Sequence, residues 1–231
     1  MLKRILLVVV IVIAGLVLIE IFNLLELKAS IGRYATYWRQ QATLSGGFTY
    51  VALGDSAAQG IGASKPQLGY VGLLGEQIAQ TTGKRVRIIN LSVSGAQVED
   101  VIKHQLPELK HYKPDLITVE IGANNVNHWD QQIFTKQYDE LAQALPPGTI
   151  VANIPYFGGR IRHNAQAITA SQIIAEAAAR YHLKLVDLQT YTRQRQSILD
   201  YSSDLFHPSN HGYRNWDAAF WQVVRLTLKS E

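Results

Sequence analysis

The 231-residue sequence contains no cysteine. Disulfide cross-links, thiolate metal sites and a cysteine nucleophile are thereby excluded. This fits an extracytoplasmic protein that dispenses with disulfides, although it does not identify a compartment. Charge is also scarce, at 17% of residues, with a formal net charge of +4. Residues 1–46 hold five Lys or Arg against two acids, and residues 47–231 hold seventeen against sixteen. The globular part is thus nearly neutral and carries no basic stripe or nucleic-acid motif, which excludes a nucleic-acid partner. A phosphate-binding glycine loop is missing as well, because Gly83-Lys84 is followed by Arg85 rather than Ser or Thr. There is no internal repeat and no low-complexity tract.

What the sequence does have is one long apolar run. Lys3 and Arg4 precede fifteen residues, 5–19, without a polar side chain, and Glu20 and Asn23 interrupt only before Leu24 and Leu25. A helix over residues 2–25 just crosses a hydrocarbon core of roughly 30 Å, so residues 1–25 are expected to form a transmembrane anchor. The rival is a cleaved signal peptide. Its apolar region would be long for that role, and Leu27-Lys28-Ala29 is a poor cleavage site. The positive-inside bias holds the N-terminus in the cytoplasm and sends the remainder outside. Residues 26–47 are expected to be a stalk. Within it, Tyr34, Tyr37 and Trp38 lie among Arg33 and Arg39, the composition of a membrane-interface belt, and Gly46-Gly47 marks the boundary of a domain over residues 48–231.

The domain is organised around residues 48–62, FTYVALGDSAAQGIG. An apolar, strand-favouring run ends at Gly54 and gives way to small residues, which predicts a buried strand emptying into a turn that carries Ser56. Further strands are expected over 86–91, 115–121, 149–154 and 183–188, and helices over 70–82, 97–109, 134–145, 165–181 and 213–228. This alternation predicts a single three-layer α/β/α domain built on a parallel sheet with right-handed crossovers. In such sheets ligands gather at the carboxyl edge. Four loops fall there: Ser56 after the first strand, Gly95 after the second, Asn124 after the third, and residues 204–207 before the last helix.

Gly-Asp-Ser alone also makes ordinary turns. Taken together, however, Gly54-Asp55-Ser56, Gly95, Gly122-Ala123-Asn124-Asn125 and Asp204-Leu205-Phe206-His207-Pro208 resemble the blocks of the SGNH, or GDSL-type, hydrolases, over the whole domain. The resemblance implies a flavodoxin-like five-stranded sheet and a serine hydrolase without a cofactor. It also implies Ser56 as nucleophile, Asp204 and His207 as the other triad members, and an oxyanion hole formed by Ser56, Gly95 and Asn124. One departure is Asn125, where the family pattern has Asp, which puts the support of that loop in question. The chemistry is coherent on its own terms. A serine hydroxyl needs a base within hydrogen-bond reach, an acid three positions before His207 can hold the imidazole in the right tautomer, and amide donors suit a developing oxyanion. No Gly-x-Ser-x-Gly elbow occurs, which argues against the α/β-hydrolase fold.

Competing readings of other residues are plainer. His207 and His211 are four apart, but Pro208 and Gly212 are expected to break a helix there, and no third metal ligand is evident. His104, His111, His163 and His182 are expected on solvated surfaces. His128 and Trp129 either line a cleft or simply pack. Glu120, inside an apolar strand, is either partnered near the site or turned outward at an edge. The expected function is a membrane-anchored, extracytoplasmic serine hydrolase that cleaves carboxylic esters through an acyl-enzyme, with short acyl groups favoured. The substrate would be a small-molecule, glycan or lipid ester. Alternatives are an acyltransferase to a sugar or lipid hydroxyl, a lysophospholipase, and a catalytically silent surface-binding module.

Overall fold

A computed structural model describes residues 2–158 and 164–229. In chain order the helices and strands are α1 (Leu2–Ala42), β1 (Phe48–Gly54), α2 (Ser56–Gln59), α3 (Tyr70–Thr82), β2 (Val86–Asn90), α4 (Val98–Asp100), α5 (Leu106–Leu109), β3 (Leu116–Glu120), α6 (Ala123–Val126), α7 (Gln131–Ala144), β4 (Ile150–Ala152), α8 (Asn164–Arg180), β5 (Lys184–Val186), α9 (Leu188–Gln194) and α10 (Asn210–Thr227). A π-helical turn, Val101–Gln105, joins α4 to α5. The five strands are all parallel, in the order β2-β1-β3-β4-β5, with β3 at the centre.

Alternation along the strands divides the core in two. Val51, Leu53, Ile117 and Val119 face one layer with Val98, Val101, Phe134, Tyr138, Leu141 and Ile174. Tyr50, Ala52 and Leu116 face the other with Trp38, Leu74, Ile78, Tyr213, Phe220 and Val224. Apolar side chains on both faces of a strand require helices on both sides, so the three-layer arrangement follows from the strand composition.

The N-terminal region departs from the expected pattern. α1 is the one helix among the described residues long and apolar enough to cross a membrane, but it does not stop near residue 25. It is about 60 Å long at about 1.5 Å per residue, twice a bilayer core. The residues expected to form a stalk are mostly its second half, leaving only residues 43–47 before β1. Tyr34 and Trp38 do not lie in an exposed belt. They are 6% and 2% exposed, on the same helix face as buried Ser30, and they pack against the domain. Arg33 and Arg39 stay at the surface as expected.

Candidate active site

β1 ends at Gly54, whose φ of +149° is reserved for glycine and whose absent Cβ would lie 2.2 Å from Glu120 O on β3. Asp55 then caps α2, its Oδ1 accepting from Ala57 N at 2.9 Å. Ser56 follows as the first residue of α2. Its Oγ lies 2.9 Å from His207 Nε2, while His207 Nδ1 lies 2.5 Å from Asp204 Oδ2. The other Asp204 oxygen accepts from Ser202 Oγ and from the backbone N–H of Phe206 and His207, at 2.9, 3.0 and 2.9 Å. Burial raises the Asp204 pKa, but the bond from His207 and these N–H donors outweigh it and hold the carboxyl at about 2. An ionised Asp204 fixes the imidazole with Nδ1–H toward the acid, which leaves Nε2 free to accept the serine proton. The loop carrying the pair is closed by a bridge between Tyr201 and Pro208 and by Ser202 N donating to His207 O at 2.8 Å. Leu205 takes a left-handed φ of 56° within it, and Phe206 stacks on buried Phe157 at 5.3 Å.

The remaining predicted residues lie at the same sheet edge. Gly95 is exposed in the turn after β2, whose neighbour Val93 donates its N–H to Gly54 O at 3.2 Å. Asn124 follows β3 at the start of α6, and its Nδ2 donates to Asp55 Oδ2 at 3.1 Å and to Ala96 O at 2.9 Å. Both amide hydrogens are therefore engaged, joining the third loop to the first and second. Asn125, the departure from the family pattern, is buried, and its Oδ1 accepts from Val98 N at 3.1 Å. A carboxylate would offer the same acceptor, so the amide keeps that support of the loop.

The family model for the GDSL-like Lipase/Acylhydrolase family matches residues 52–214, well over half of the chain. The chain belongs to that family. It is a serine ester hydrolase by that membership. Solved structures of similar fold include an alpha/beta hydrolase enzyme from the metagenome of Lake Arreo, at 23% identity and TM-score 0.63, covering 79% of this chain and 97% of that one. The lipase/acylhydrolase from Enterococcus faecalis matches at 22% identity and TM-score 0.64, covering 79% and 96%. An acetylxylan esterase from Geobacillus stearothermophilus matches at 20% identity and TM-score 0.60, covering 77% and 94%. These likenesses establish the fold. No curated protein matches the sequence significantly.

Other features of this GDSL-family hydrolase refine the remaining readings. Glu120 lies on the central strand, 1% exposed, so the outward, edge-strand reading fails. Burial, and then the charge of Asp55, push its pKa well up, and its Oε2 has no hydrogen-bond partner among the described residues. Burial also raises Asp55, to about 6, against the Ala57 N–H and the field of His207. α10 starts at Asn210 and runs through Gly212, contrary to the expected break, with Ser209 as its cap. A side chain at Gly212 would meet Asp200 O at 2.1 Å, so glycine is there for close approach. His211 Nδ1 pairs with Asp200 Oδ1 at 2.8 Å, and no group of three metal-ligating side chains occurs among the described residues. His104, His111, His128 and His182 are exposed, Trp129 packs on Phe134 at 5.2 Å, and His163 lies outside the described residues.

Two buried glutamines escaped the sequence reading. Gln105 pairs its side-chain amide with Gly54, donating to its O and accepting from its N, each at 2.8 Å. The signal was present: Val98, Val101 and Gln105 share one helical face, and the third is polar. Gln59 donates from Nε2 to Ser92 O at 2.9 Å and accepts from Ser94 Oγ at 2.5 Å.

Proposed function

We propose that the protein is a membrane-anchored, extracytoplasmic esterase acting through an acyl-enzyme, with Ser56 as nucleophile, His207 as general base and acid, and Asp204 as the group that orients the imidazole. The observation that carries this reading is the continuous Ser56–His207–Asp204 hydrogen-bond chain, at 2.9 and 2.5 Å. Ser56 Oγ attacks the ester carbonyl carbon while its proton passes to His207 Nε2, giving a tetrahedral intermediate. Collapse returns that proton to the leaving alcohol, and the acyl group remains on Oγ. Water then attacks with His207 again taking the proton, and the carboxylic acid leaves as Ser56 is restored. The oxyanion would be met by the N–H groups of Ser56 and Gly95 and by the Asn124 amide, which must turn one hydrogen from its present acceptors toward the substrate. The longer bond, to Asp55 at 3.1 Å, is the one to yield.

The short-acyl preference rests on the small residues that follow Ser56, namely Ala57, Ala58 and Gly60, and on Gly122-Ala123 in the loop after β3. A cleft of about 400 Å³ lies between α1 and the loops at 62–64 and 202–203, and its lining does not include Ser56. The second reading, a lysophospholipase, is favoured by that cleft, whose wall includes Phe22 and Leu27 close to the end of the apolar run, and by exposed Leu205 beside His207. The anchor itself is proposed for residues 1–25, with Lys3 and Arg4 on the cytoplasmic side. A panel of p-nitrophenyl esters separates the two substrate readings. Activity should peak at about two to four acyl carbons, whereas a steady rise beyond about eight would overturn the short-acyl reading for a lipid one.

A further inference from the structure

The loop that leaves the nucleophile helix is the junction of the site. At its start Gln59, the last residue of α2, donates to Ser92 O and accepts from Ser94 Oγ, and Ser94 immediately precedes Gly95. Three residues on, Gly62 has a φ of +95°, and a Cβ there would lie 2.4 Å from Pro208 O and 2.8 Å from His207 Cβ. Ser64 N donates to Asn210 Oδ1 at 2.9 Å, at the start of α10. Residues 59–64 thus abut the nucleophile, the Gly95 turn and the His207 loop together.

Three alternate carbonyls of this loop are each taken by an aromatic side chain. Gln59 O accepts from Trp38 Nε1 at 2.9 Å, Ile61 O from Tyr213 Oη at 2.6 Å, and Ala63 O from Tyr34 Oη at 2.6 Å. All three aromatics are buried. Rigid rings with a single polar tip hold a carbonyl with little rotamer freedom, and a buried carbonyl that loses its donor is costly. Tyr213 lies within the family match at residues 52–214, but Tyr34 and Trp38 precede it. The similar structures named above are 94–97% matched by only 77–79% of this chain.

We infer that Trp38 and Tyr34 are positioning residues for ester hydrolysis, supplied by the N-terminal helix from outside the family domain. Through Gln59 O and Ala63 O they fix the loop that sets the nucleophile turn, the Gly95 turn and the His207 loop relative to one another. Displacement of such a loop acts on the attack geometry, so it lowers kcat rather than weakening substrate binding.

The inference rests on Ser56 being the nucleophile, and the test separates the two. Full-length wild type, Trp38→Phe, Tyr34→Phe and a control, Ile174→Val, are compared in detergent with p-nitrophenyl acetate, below the melting temperature of each. Ile174 is buried in α8, remote from this loop in sequence and in the opposite core layer. Tyr34→Phe loses only a hydroxyl and keeps the ring, so it serves if Trp38→Phe folds poorly. The expected result is a fall in kcat of about tenfold for each aromatic variant, with KM within about twofold of wild type, against an unchanged kcat for the control. If kcat in both aromatic variants follows the control, or if KM alone changes, the positioning role is overturned while the Ser56 reading stands. A fluorophosphonate adduct absent from Ser56 of the wild type would overturn both.

Discussion

At the scale of single residues, neighbouring asparagines have different tasks. Asn124 bridges Asp55 and Ala96 and is the proposed oxyanion donor, whereas Asn125 accepts from Val98 N behind the loop. Asn124→Ala should lower kcat by about 10² to 10³ with little change in KM. Asn125→Ala should show mainly in stability, at about 1–3 kcal/mol for an unpaired buried N–H, read as a lower denaturant midpoint. Reversal of the two effects would place the donor one residue along. Asp204 gives a pH signature. Its folded-state pKa of about 2 lies below the ordinary value of 3.8, so the unfolded chain binds its proton first as pH falls. The stability it contributes is complete above about 3.8 and lost as pH falls through about 2. Asp204→Asn should remove this part of the acid-side slope in melting temperature, and should lower kcat on the order of 10⁴ by disturbing the imidazole tautomer.

At the scale of elements, α10 carries the opposite signature. Burial raises Asp217 from 3.8 to about 7, against the bonds from Gln77, with Glu76 adding to the rise. The folded state retains this proton longer than the unfolded chain, so stability from this group declines as pH rises from about 3.8 to about 7. Asp217→Asn should flatten that decline, and melting temperature measured across the window checks it. An unchanged slope would mean that Asp217 ionises freely in the folded protein. The strands and long helices were legible because each repeats an apolar period over several residues, as in Val51, Leu53, Ile117 and Val119. The pairing of Asp204 with His207 was legible because the two lie three residues apart in one short turn. Three features were hidden for physical reasons. α2, α6 and α9 are too short to show a period. Gly212 reads as a breaker unless one knows that Asp200 O needs its space. The docking face of α1, with Leu27, Ser30, Tyr34 and Trp38 at spacings of three and four, follows a continuous apolar run and carries exposed arginines, so its aromatics look like those of a membrane belt.

At the scale of the whole molecule, one unbroken helix joins the proposed bilayer segment to the hydrolase domain. Helix of this length held by Tyr34 and Trp38 leaves no long flexible tether, so the site would ride at a set height and tilt above the membrane. Protease added to spheroplasts should therefore degrade the domain from outside, while the docked half of α1 resists cleavage better than an open stalk would. Full protection of the domain, with an external control protein cut, would contradict the extracytoplasmic placement.

The proposed mechanism turns on covalent attack by Ser56. The direct measurement is mass spectrometry of the full-length protein after treatment with a serine-directed fluorophosphonate, with peptide mapping of the adduct and with Ser56→Ala in parallel. One adduct is expected, on Ser56, formed together with loss of esterase activity, with neither labelling nor activity in Ser56→Ala. An adduct on another residue, or full esterase activity in Ser56→Ala, would contradict it.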